Sequence, residues 1–144
     1  MKTAISTFAL GLVMAVPVAA QDVITYDFEG SFDDATFAVE SAIVNRGLVI
    51  DYVSHVGDML NRTGEDVGSE TMIFENADIF LFCSAAISRR VMEADPMNIV
   101  HCPYSIFVAE MDGEVMLGHR AYPDGPMQEV EAVLDAIILE AQAQ

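Results

Sequence analysis

Asp112-Gly113 stands between two β-prone runs, Ile99–Met111 and Glu114–Ala121. An Asp-Gly pair tolerates the positive φ angles of the tight turn that joins twisted strands, so this pair predicts a β-hairpin. A hairpin makes its two strands antiparallel neighbours and excludes a purely parallel sheet. Three further strand-like segments precede it: Val23–Phe28, Leu48–Ser54 and Thr71–Cys83, the last broken at Glu75-Asn76. Five strands joined mostly by short connections predict an antiparallel α+β domain with the final helix packed on one sheet face.

Helical segments separate these strands. Ser31-Phe32-Asp33-Asp34 reads as a capping box. Ala35, Ala38, Val39, Ala42 and Ile43 follow at helical spacing, and Gly47 stops the helix as a residue that accepts the left-handed conformation. His55–Thr63 has room for two helical turns before the Gly64–Gly68 loop. Ser84 predicts an N-cap for a helix from Ala85 to about Ala94, ended at Asp95-Pro96 because a residue before proline avoids the helical region. Gly125-Pro126 opens the last helix. Its stripe is Met127, Val130, Val133, Leu134, Ile137, Ile138 and Ala141. Ala35, Val39, Ile43, Val130, Val133, Leu134 and Ile137 are the predicted core. No internal repeat or low-complexity tract interrupts this order.

Met1–Ala20 has the layout of a secretory signal peptide. Lys2 supplies the positive start, an apolar run extends from Ala4 to Val16, and Val18-Ala19-Ala20 places small residues at the cleavage positions. The apolar run is too short to span a bilayer comfortably. The expectation is a single domain over residues 21–144, periplasmic or secreted, with no membrane insertion after cleavage. Removing the leader leaves five Arg, no Lys and 23 acidic residues, a formal charge of −18. That balance argues against nucleic acid and anionic membrane surfaces, which select basic patches. It fits either solubility or docking on a basic protein partner; a homodimer is the other partner expectation.

Cys83 and Cys102 are the only cysteines. An even count in an exported chain favours a disulfide, and antiparallel strands would bring the end of one near the start of the other. Two buried free thiols, or a redox or metal role, are the alternatives. Alternation along the second strand predicts that His101 points to the face opposite Cys102. No C-x-x-C is present to support thioredoxin-like chemistry. His55 and Met59 are four residues apart, and with His101 they are the candidates for a copper or haem site; Met92 and Met97 lie nearby in sequence. The competing reading makes the methionines gap-filling residues and the histidines surface or cap residues. Arg89 and Arg90 predict one ion pair with Glu93 or Asp95. Asp33-Asp34 suits the first turn of a helix, and Glu65-Asp66 carries little specific signal in so acidic a chain. Asn61-Arg62-Thr63 matches a glycosylation sequon, here read as chance.

The stretch from Phe80 to Tyr122 resembles the family catalogued as domain of unknown function 302. The matching residues are Cys83, Arg90, Ala94, Asp95, Pro96 and Cys102, and Phe32–Arg46 with Gly47-Leu48 is similar to the family's opening. Two departures stand out. Ser84-Ala85 replaces the proline that follows the first cysteine, and Pro103 follows the second cysteine, with His101 before it. The resemblance implies a β-α-β(4)-α fold with a curved antiparallel sheet of about five strands and helices on one face. It implies no activity; no cofactor is expected, with copper or haem as the alternative. No three residues combine nucleophile, base and orienter, so the sequence favours an exported, non-catalytic binding or accessory module. The alternative is a periplasmic metal-binding or redox-accessory protein.

Overall fold

The structure, a computed structural model, describes residues 23–144; the signal-peptide expectation for Met1–Ala20 lies outside them. Five strands form one antiparallel sheet: β1 (Val23–Phe28), β2 (Val49–Ser54), β3 (Asn76–Cys83), β4 (Tyr104–Met111) and β5 (Glu114–Arg120). Their spatial order is β1-β5-β4-β3-β2. The β4–β5 hairpin turns at Asp112 and Gly113, with φ of 55° and 77°, as the Asp-Gly pair predicts. A bulge between Ile50 and Tyr52 leaves Asp51 outside the β2–β3 register.

Three helices lie in the connections, α1 (Phe32–Asn45), α2 (Val56–Thr63) and α3 (Ala85–Ala94), and α4 (Gln128–Gln142) follows β5. Local chemistry fixes their ends. The Ser31 hydroxyl accepts from the Asp34 N–H while the Asp34 carboxylate accepts from the Ser31 N–H, which completes the capping box. At the other end Gly47 has φ 71°, its N–H donates to the Val44 carbonyl, and the Leu48 N–H reaches back to Ile43. This is the paired Schellman closure. Ser84 caps α3 by accepting from the Ile87 N–H.

The core lies between one sheet face and the antiparallel helices α1 and α4. Ala35, Val39, Ile43, Val130, Leu134 and Ile137 are buried, and Val133 is half-buried against them. Phe80 and Phe82 of β3, Ile106 and Val108 of β4, and Val115 and Leu117 of β5 form the facing layer. Ile87 and Val91 attach α3 to this core. On the opposite sheet face, Gly118 pairs with Phe107, whose ring lies where a Cβ at 118 would stand. Among the described residues no helix is long and apolar enough to cross a membrane.

The main local departure from the sequence reading is at 96–103. Ile99–Met111 reads as one strand, yet Pro96–His101 forms a 3-10 helix and β4 starts only at Tyr104. Asp95 explains the switch: its carboxylate accepts from the Met97 N–H, with Pro96 at the first position of the turn. Ile99 and Val100 therefore lie 56% and 69% exposed rather than in the sheet. Cys102 caps this turn outside any strand, so strand alternation does not set the orientation of His101. β3 starts at Asn76, at the Glu75-Asn76 break in the run Thr71–Cys83.

Leu134 is fully buried, and Leu134→Ala is expected to cost about 2–5 kcal/mol in urea denaturation. Leu139→Ala, on the exposed side of the same helix, should stay within about 0.5 kcal/mol.

Candidate functional site

The densest polar chemistry gathers where β3 ends and β4 begins. Cys83 is the last residue of β3, and Cys102 lies two residues ahead of β4. These strands are antiparallel neighbours from Phe82↔Tyr104 onward, with α3 bridging them. The fold thereby brings the two thiols to 2.7 Å between sulfurs. Ser88 leans over them from α3, its hydroxyl 3.0 Å from the Tyr104 hydroxyl and 4.0 Å from the Cys102 sulfur.

Two aromatic side chains close the back of this cluster. Tyr122 meets the His101 ring edge-on at 5.6 Å between centroids and the Tyr104 ring at 6.4 Å. The Tyr122 hydroxyl and His101 Nδ1 are buried with no hydrogen-bond partner among the described residues. The Tyr122 backbone is well held. Its N–H donates to Glu131, and its carbonyl accepts from the Gln128 amide.

The surroundings disfavour ionised forms here. Burial, followed by the hydrogen bond with Cys102, pushes the Cys83 thiol up to about 11. Burial also pushes Tyr122 up to about 12 and raises Tyr104. A thiol held protonated is a poor nucleophile and a poor metal ligand. The nearby cations are already engaged: Arg89 pairs with Glu93 as expected, and Arg90 forks onto Glu129 across the α3–α4 junction. That contact holds the Glu129 carboxyl below its usual range.

A second polar cluster was not legible in the sequence. His119, Asp135 and Tyr26 meet between β5, α4 and β1. The Tyr26 hydroxyl donates to Asp135 Oδ1 at 2.6 Å, and His119 Nε2 lies 2.8 Å from the same oxygen. His119 Nδ1 lies 2.8 Å from the Arg120 carbonyl. The His119 side chain is fully buried, and both ring nitrogens are partnered, as a buried imidazole requires. One signal in the sequence marks it: His119 shares the alternation of Val115 and Leu117, so it had to face the core.

The other candidate residues are dispersed. His55 precedes α2, with Nδ1 2.7 Å from Asp78 near the start of β3. Asp78 and Cys83 are five residues apart along β3, roughly 17 Å at about 3.4 Å per residue. His55 and Met59 thus lie at the opposite end of the sheet from His101 and the cysteines. Met92 packs partly into the core, and Met97 is exposed. Among the described residues no three His, Cys, Asp or Glu side chains converge as a metal-binding group. Asn61 of the sequon donates to the Phe74 carbonyl, tying α2 to the segment before β3.

An open five-stranded antiparallel sheet with α1 and α4 on one face defines an α+β protein. The profile of the family described as "Domain of unknown function DUF302" matches residues 24–137, and the chain belongs to that family. Its fold is similar to the crystal structure of an uncharacterized conserved DUF302 protein from Bacillus stearothermophilus. The TM-score is 0.62 at 14% identity, covering 86% of this chain and 98% of that one. No curated protein matches the chain.

The hydrogen bond to Asp135, followed by burial, raises Tyr26 from 10.0 to about 12. Tyrosine in the unfolded chain ionises first, so the stability this bond supports is complete below pH about 10 and lost as pH rises toward about 12. Absorbance titration should show Tyr26→Phe removing one late-ionising tyrosine and flattening part of the alkaline loss of stability. Ionisation of Tyr26 near pH 10 would exclude the Asp135 bond from that role.

Proposed function

We propose that the chain is an exported, non-catalytic binding module in which Cys83 and Cys102 form a structural bridge. The observation that carries this reading is the cysteine pair itself. The sulfurs are in contact at 2.7 Å, and the Cys83 thiol is pushed up to about 11. Closing to the bond length of about 2.05 Å takes well under an ångström of movement. A bridge there fastens the end of β3 to the entry of β4 across the α3 connection. The chain-entropy argument gives such a loop roughly 3 kcal/mol. Held in that way, the cysteines serve the scaffold, and binding falls to the surface.

Export supports this reading on the sequence side, because an oxidising compartment keeps such a pair joined. The metal or redox-accessory alternative draws no support from the placement of His55 and Met59, which the fold sets apart from His101 and the thiols.

Thiol trapping of protein prepared from the periplasm, read by intact mass, should find both cysteines protected until reductant is added. A reduction potential below about −300 mV is expected of a structural bridge. Readily alkylated thiols, or a much more oxidising potential, would overturn it. A melting-shift panel of metabolites, metal ions and peptides tests the module reading independently.

A further inference from the structure

The segment between α2 and β3 exposes apolar side chains that nothing in the core requires. Val67, Met72 and Ile73 are 78%, 68% and 49% exposed, and Met59 is 42% exposed. Val67, Met72 and Ile73 border adjoining depressions around the loop from Gly64 to Ile73: one of about 340 Å³ where Leu60 and Met72 lie beside Asn61, Glu65 and Glu70, and a smaller one lined by Leu60, Val67 and Ile73. The walls are tied in place. The Ser69 N–H donates to the Gly64 carbonyl at 2.9 Å, and Asn61 anchors α2 to Phe74 at 3.2 Å. The groove is therefore formed before any partner arrives, which lowers the ordering cost of binding.

Glu65 and Glu70 stand at its rim, in a stretch, residues 56–75, that carries five acidic residues against Arg62 alone. Arg46, Arg89 and Arg90 are committed elsewhere to Glu140, Glu93 and Glu129. Among the described residues these carboxylates do not converge with others into a three-ligand metal group. Glu65 and Glu70 supply a negative field beside the apolar floor made by Leu60, Val67 and Ile73. A second copy of a chain with net charge −17 would meet that field with its own.

We infer that this groove docks a partner protein through a segment whose aliphatic side chains are flanked by Arg or Lys. The aliphatic groups fill the floor, and the flanking cations meet the rim. The inference rests on the binding-module reading and gives its partner a chemistry.

The test uses the whole protein and three labelled peptides, followed by anisotropy at about 0.15 M salt. One peptide alternates Leu and Arg, one replaces Arg by Glu, and one replaces Leu by Ser. Only the first should bind. Met72→Ser/Ile73→Ser and Glu65→Gln/Glu70→Gln should each weaken it by about tenfold or more. Val100→Ser, on the 3-10 helix at the other end of the sheet, should leave it unchanged. All three sets alter exposed side chains, and unchanged melting temperatures establish that they fold. Equal binding of the Leu-free peptide, or indifference to Met72→Ser/Ile73→Ser, would reduce the effect to a non-specific field and overturn the inference. So would a concentration-dependent dimer lost in Met72→Ser/Ile73→Ser, or saturable calcium uptake lost in Glu65→Gln/Glu70→Gln. If no peptide binds while another ligand raises the melting temperature, this partner class falls and the module reading stands.

Discussion

Burial of the helix pair α1 and α4 against one sheet face sets the terms for the rest of the molecule. Ile43, Leu134, Ile137 and Ile138 are removed from water together with Phe82, Ile106 and Leu117. Each fully buried aliphatic side chain contributes roughly 1.5–3 kcal/mol, and this layer supplies most of the apolar burial on that face. The same layer encloses His119, and its low polarity makes Asp135 and the Arg120 carbonyl necessary partners. Packing of α4 also places Glu129 and Glu131 where they hold Arg90 and the Tyr122 backbone. The polar features are consequences of where the apolar surfaces had to go.

The cysteine cluster follows from topology in the same manner. Antiparallel pairing of β3 with β4 forces the exit of one beside the entry of the other. The α3 connection must span that short gap, and it lowers Ser88 onto the sulfurs as it does so. Burial at this end raises the Cys83 thiol and the Tyr104 and Tyr122 hydroxyls, which favours their neutral forms. Carboxylates crowd the segment between α2 and β3 instead. The cysteine cluster and this acidic, partly apolar segment thus lie at opposite ends of the sheet.

Features held by neighbours in sequence were legible before the structure. The Asp112-Gly113 turn, the Ser31–Asp34 box and the Gly47 closure each depend on residues within five positions. The amphipathic stripes of α1 and α4 were legible because a single face repeats along them. The 96–101 turn was not. Ile99 and Val100 have strand-forming side chains, and only the Asp95 cap and the packing of α3 divert them. The cysteine pair could be anticipated from its count and from strand order. Ser88, Tyr104 and Tyr122 could not, because nothing local marks them as neighbours. The Tyr26–Asp135–His119 cluster joins residues as far as 109 positions apart, a separation no periodicity reports.

The sheet order carries a consequence for how the chain comes to be folded. β1 is the first described strand, yet its only partner in the sheet is β5, with Val23 opposite Arg120. Nearly the whole described chain must emerge before β1 has a place to pair. Until then its backbone groups remain a free edge that another chain can occupy. Such distant pairing is slow to form. A holding factor that keeps the early segment unpaired until β5 is made would therefore change the yield of folded molecules more than their final stability.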